Sequence, residues 1–121
     1  MSPPSLVITD LVERARRGDF AFEPYFPGVE IHRIYGHDEG GASAVLLRYH
    51  PGARVPRHSH AGYEHVYVLV GEQSDERGQY GAGTLVVNPP HSRHDEVRSD
   101  AGCVVLVIRE RPVVFGERAD G

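Results

Sequence analysis

Four side chains stand at spacings that could hold one metal ion. His58 and His60 are two residues apart, so on a β-strand both project from the same face. Glu64 follows at the start of the apolar run 65–70, and the small pair Ala61-Gly62 permits a tight bend that brings it beside the imidazoles. His94 is the fourth candidate, just after the turn sequence Asn88-Pro89-Pro90-His91-Ser92 that ends the run 84–87. Three imidazoles and one carboxylate make a mixed nitrogen and oxygen site that suits Fe(II), Mn(II), Ni(II), Co(II), Cu(II) or Zn(II). The expected cofactor is one divalent transition ion per chain. Binding needs neutral imidazoles, so affinity should fall as pH drops through about 6.

Short runs rich in β-branched and aromatic residues must position these groups. They cover 29–35, 44–49, 65–70, 84–87 and 103–108, and are punctuated by Gly36 to Gly41, Pro51-Gly52, Gly71, Gly78, Gly81, Gly83, Pro89-Pro90 and Gly102. Strands of this length and spacing predict an all-β sandwich or barrel, and 14 Gly with 9 Pro argue against a helical bundle. Only residues 5–17 carry a helical pattern, with an edge strand over 6–9 followed by a helical turn as the alternative reading. The next stretch, with two prolines and four aromatics, reads as an extended arm against the barrel. The organisation expected is an N-terminal arm (1–28), a β-barrel (29–116) and a flexible tail (117–121). The polar stretch 71–81 predicts a surface hairpin turning at Glu76-Arg77-Gly78, its charges serving only solvation.

The chain has 121 residues, the size of one domain. Lys and Arg number 13 against 17 Asp and Glu, a formal charge of −4 with no basic run, which excludes the usual footprint of a nucleic-acid binder. No stretch approaches the ~20 apolar residues of a membrane span, and residues 1–10 do not form a signal peptide. A soluble, cytoplasmic protein is expected. The lone Cys103 excludes an intrachain disulfide and reads as a small buried hydrophobe. Of the eight His, His65 should face away from the ion, His91 is a turn residue at the barrel mouth, and His32, His37 and His50 have no ligand spacing. Tyr49, Tyr63, Tyr67 and Phe22 read as packing residues.

The segment from Gly52 through His58, His60 and Glu64 to Gly71 resembles the first cupin motif, G(X)5HXH(X)3-4E(X)6G, at every defined position. Gly83, Pro89 and His94 match the second, G(X)5PXG(X)2H(X)3N, with His91 in place of its second glycine and Arg98 in place of its asparagine. His91 thereby raises the question of a positive φ at a non-glycine residue. The stretch GQYGAGTLVVNPPHSRH, with GCVVLVI and Arg111-Pro112-Val113, is similar to the cupin domain of ChrR-type anti-sigma factors and their stand-alone bacterial relatives. That resemblance implies a jelly-roll barrel with a metal bound by His58, His60, Glu64 and His94. The zinc-binding, sigma-gripping domain of ChrR finds no counterpart before residue 29, where there is no Cys, so an anti-sigma role is not implied.

Two functions follow. In the first, the ion has two open positions and acts as a Lewis acid in a dioxygenase, with an isomerase or lyase behind it, on a small oxygen-rich substrate such as a diketone, phenolic ketone or sugar acid. Glu96, two residues after His94 and on the same face of a regular strand, is the candidate acid/base. In the second, the module is a non-catalytic zinc-binding sensor or ligand-binding domain with a closed site and little room. Expected partners are a small molecule and a second copy of the chain, with the aromatic run 20–26 as the contact surface.

Overall fold

Period-two alternation builds the barrel wall. In β3 (Gly40–Tyr49), Val45, Leu47 and Tyr49 enter the interior core while Leu46 enters a second cluster on the outer face. β11 (Cys103–Arg109) does the same, with Cys103, Val105 and Val107 inside and Val104 outside. Because both faces of these strands are covered, they read as nearly continuous apolar runs. The structure is a computed structural model that describes residues 4–37 and 40–116. The tail expected over 117–121 and the side chain of His37 lie outside the described residues.

The remaining elements are α1 (Leu11–Arg17), β1 (Glu23–Phe26), β2 (Val29–His37), β4 (Ala53–Val55), β5 (His58–His60) and β6 (Glu64–Asp75), followed by β7 (Gly78–Gly81), β8 (Leu85–Asn88), β9 (Arg93–His94), β10 (Val97–Ser99) and β12 (Val113–Phe115). The larger sheet runs β1-β2-β3-β11-β6-β10-β4, with β7 and β8 also paired to β6, and the smaller runs β12-β5-β9. This all-β barrel has the expected architecture. β6 is the spine: its first half pairs with β8 and β11, its second half with β7 and β10. The five expected strands are present, most of them longer than predicted; the short ones at 53–55, 93–94, 97–99 and 113–115 carry too few residues to show a period.

At the N-terminus, residues 4–9 form no strand, so the alternative edge strand over 6–9 is not made; Leu6 and Val7 are exposed. The helical pattern is realised over 11–17 alone, ended by Gly18 in a left-handed conformation. Ala15 of α1 packs with Leu46, Leu69 and Val104, and Phe20 and Phe22 extend this cover. Arg14 and Arg48 lie over the Phe20 and Phe22 rings at 4.6 and 4.3 Å. β1 joins the sheet by pairing with β2, and Tyr25 and Phe26 pack on Phe115. The aromatic run 20–26, expected to meet a second copy, is therefore largely engaged within its own chain.

Two motif positions owe their residue to backbone conformation. Gly71 has φ 78°, and a Cβ there would strike the Gly102 carbonyl oxygen. His91 stands at φ 74°, the left-handed conformation its place in the second motif demands. Its amide donates to the His60 carbonyl (2.8 Å), tying the turn to β5. His91→Val is expected to lower stability by about 1–2 kcal/mol, because a β-branched side chain resists this conformation. His91→Gly should change it by less than about 1 kcal/mol, relief of strain being offset by the freedom glycine gains in the unfolded chain. Urea unfolding of the two variants checks both values.

Candidate metal centre

β5 turns the His58 and His60 side chains to one buried face, with the half-buried Ser59 between them. β9 pairs with β5 so that His94 lies directly opposite His58. Glu64, first residue of β6, is flanked in register by Asn88 of β8 on one side and Arg109 of β11 on the other. Ligand atoms of His58, His60, Glu64 and His94 all lie within 4.8 Å of one another, and each residue is at most 6% exposed.

The hydrogen bonds around this cluster decide which ring atoms face its centre. His58 Nδ1 donates to the Pro56 carbonyl (3.0 Å). His60 Nδ1 donates to the Ser92 carbonyl (3.1 Å) and to Ser92 Oγ (2.9 Å), whose own proton is directed to the Pro89 carbonyl (2.6 Å). His94 Nδ1 donates to Glu76 Oε2 (3.2 Å). Carbonyl and carboxylate oxygens only accept, so every Nδ1 carries the proton and every Nε2 is left with a bare lone pair. Such outer contacts are the usual means of orienting metal-bound imidazoles. Among the described residues His60 Nε2 is buried with no hydrogen-bond partner, although Glu64 Oε1 is only 3.1 Å away and misaligned for a bond. An orphaned lone pair aimed at a carboxylate is unfavourable without a cation between them. The residues present therefore fit a divalent transition ion.

Electrostatics favour the same outcome. Burial pushes the Glu64 carboxyl up, but the Arg109 guanidinium bonded to it pulls it down, below the usual carboxylate range, so that it is ionised at physiological pH. Arg109 Nε donates to Glu64 Oε2 (3.1 Å), and Asn88 Nδ2 donates to Oε1 (3.1 Å). Burial lowers the pKa of His58 and keeps it neutral. Glu64, Asp75 and Glu76 against Arg77 and Arg109 leave one net negative charge around the cluster.

The cavity beside these groups measures about 30 Å³, room for one or two water-sized molecules. Tyr25, Tyr49, Gln73 and Asp75 supply polar lining, and Phe115 narrows one side, its ring 5.6 Å from that of His58. Tyr49 is thus a lining residue as well as a packing one. Tyr63 and Tyr67 are exposed, and Tyr63 stacks on His65. His91 is exposed and outside the cluster, His32 packs on Phe20, and His50 pairs with Glu30. Cys103 is buried, and burial pushes its thiol up to about 12.

Glu96 does not line the cavity. β9 ends at His94, the chain bends at Asp95, and the same-face relation of a regular strand is lost. Glu96 pairs instead with Arg54 at the surface (3.1 Å). Besides Glu64, the buried carboxylate that lines the cavity is Asp75. The hairpin charges do more than solvate: Glu76 holds His94, and Arg77 holds Asp75 and Asn88. Only the turn signal at 76–78 hinted at this segment; nothing in its spacing pointed to the site.

A small antiparallel barrel whose interior gathers three imidazoles and a carboxylate from the two motifs defines a cupin. More narrowly, the chain belongs to the ChrR cupin-like domain family, whose model matches residues 12–113. It is 32% identical over 78 residues to the anti-sigma-E factor ChrR of Cereibacter sphaeroides, an alignment covering 63% of this chain and 37% of that protein. The chain thus spans little more than a third of that relative. In the crystal structure of Rhodobacter sphaeroides SigE with the anti-sigma ChrR, the match has a TM-score of 0.69 at 25% identity, covering 90% of this chain and 70% of that one. A putative acetylacetone dioxygenase from Methylibium petroleiphilum has the same fold, with a TM-score of 0.78 at 13% identity over 100% of this chain and 88% of that one. No helix among the described residues is long and apolar enough to cross a membrane.

Proposed function

We propose that this chain is a metal-binding cupin module that holds one divalent transition ion on His58, His60, Glu64 and His94. The observation that carries the reading is the convergence of bare Nε2 atoms on an ionised carboxylate in a buried site, with His60 Nε2 lacking a hydrogen-bond partner among the described residues. When bound, the ion supplies Lewis acidity toward an oxygen-bearing ligand. The chain's own residues fix the imidazole tautomers, keep Glu64 ionised and exclude bulk water. A cavity of about 30 Å³ suits a water-sized ligand better than a diketone. That favours a sensor or small-ligand module over turnover. Sigma-factor binding is a property of ChrR, only part of which this chain matches, and does not enter the reading.

The second reading, a dioxygenase, draws support from Asp75, a carboxylate lining the cavity. Its substrate would meet Phe115, which lines the cavity beside His58. Metal analysis of protein purified without added metal, followed by oxygen uptake with pentane-2,4-dione and a phenolic ketone, decides between the two. One zinc per chain with no uptake is the expected result. Bound iron with substrate-dependent uptake selects the dioxygenase, and a protein that neither retains nor takes up any transition ion overturns both.

A further inference from the structure

We propose that the β6–β7 hairpin turn, residues 75–78, is a clamp that positions two of the four metal-binding side chains from the protein surface; this rests on the metal reading above. The clamp has two arms. Glu76 divides its oxygens: Oε2 accepts from His94 Nδ1 (3.2 Å) and Oε1 from the Asp95 amide (3.1 Å). It thus fixes both the ring and the backbone that carries it. Arg77 Nη2 donates to Asp75 Oδ2 (3.1 Å) and Asn88 Oδ1 (3.0 Å). With its oxygen so engaged, the Asn88 amide can present only its NH2 to Glu64 Oε1 (3.1 Å).

Asp75 anchors the turn. Its Oδ1 accepts from the Arg77 amide (2.8 Å) and the Tyr80 hydroxyl (2.9 Å). Register pairing of Asp75 with Gly78 sets the two-residue turn between them. Glu76 and Arg77 keep 38% and 52% of their side-chain surface in water, so residues reachable from solvent hold groups that are almost fully buried. Without Glu76 the His94 Nδ1 keeps only Asp75 Oδ2, 3.6 Å away and beyond hydrogen-bond distance, so the ring is held less firmly and its proton is less strictly confined to Nδ1. Without Arg77 the Asn88 amide is free to flip and set its oxygen against Glu64. Both residues are positioning residues and touch neither ion nor ligand.

Zinc affinity of the whole chain, measured by competition with a chromophoric chelator, tests this in Glu76→Ala, Glu76→Gln and Arg77→Met, each with the melting temperature of its metal-free form. Glu76→Ala and Arg77→Met should each weaken zinc about 10–100-fold. Glu76→Gln, which keeps an oxygen to accept from Nδ1, should recover part of the loss. The visible absorption of the cobalt-substituted protein should shift in Glu76→Ala, a change that a merely structural role would not produce. If Glu76→Ala does not fold, the affinities of Glu76→Gln and Arg77→Met decide in the same way. Affinities equal to that of the unsubstituted protein overturn the clamp and leave the metal reading standing. An unsubstituted protein that binds no zinc overturns both.

Discussion

Replacing His60 by alanine is expected to strip the ion from the protein, from about one per chain to less than a tenth of that. The loss of an outer hydrogen bond to a metal-bound imidazole already weakens affinity by about 10–100-fold. Removal of the ligand itself must exceed this, because three groups remain and one of the four-coordinate positions opens to water. His60 is the most informative choice: its side chain is 1% exposed, and its Nε2 is the orphaned atom that demands a cation. Elemental analysis of the purified variant, with chelator competition on its metal-free form, gives both numbers. His91→Ala serves as the control and should keep its ion, since that side chain is exposed and lies outside the cluster. An undiminished ion in His60→Ala would place it elsewhere.

Arg109→Leu should produce the largest loss of stability. Glu64 and Arg109 are 6% and 7% exposed at their side chains and bond at 3.1 Å. Removing the cation leaves a carboxylate buried without a compensating charge, which costs about 3–5 kcal/mol in comparable pairs. A divalent ion on Glu64 would restore the missing positive charge, so the penalty should be much smaller in metal-loaded protein. The difference in melting temperature between metal-free and loaded forms should therefore widen relative to the unsubstituted chain. Thermal unfolding in the presence of a chelator and of excess zinc reads this directly. An equal drop in both forms would mean that Glu64 does not meet the ion.

The four candidate ligands were legible because their spacing is local. His58 and His60 share a strand face by period two, Glu64 opens the next strand, and His94 follows a proline turn. The residues that tune them were not legible, because register brings them in across long separations. Arg109 reaches Glu64 over 45 positions and Asn88 over 24, while Glu76 reaches His94 over 18. No period in the sequence marks such pairs. At Glu96 the period-two pattern misleads, because the strand stops at His94 and the chain bends. The size of the cavity was hidden for a similar reason. It depends on Phe115 folding back beside His58 by the pairing of β12 with β5, a contact between segments 57 residues apart.

Crystals of the protein grown with one equivalent of zinc, with anomalous data recorded on both sides of the zinc edge, test the central claim most directly. The prediction is a single peak per chain at coordination distance, about 2.0–2.2 Å, from Nε2 of His58, His60 and His94 and from a Glu64 oxygen. No peak within that cluster, or a peak held by other side chains, would contradict it.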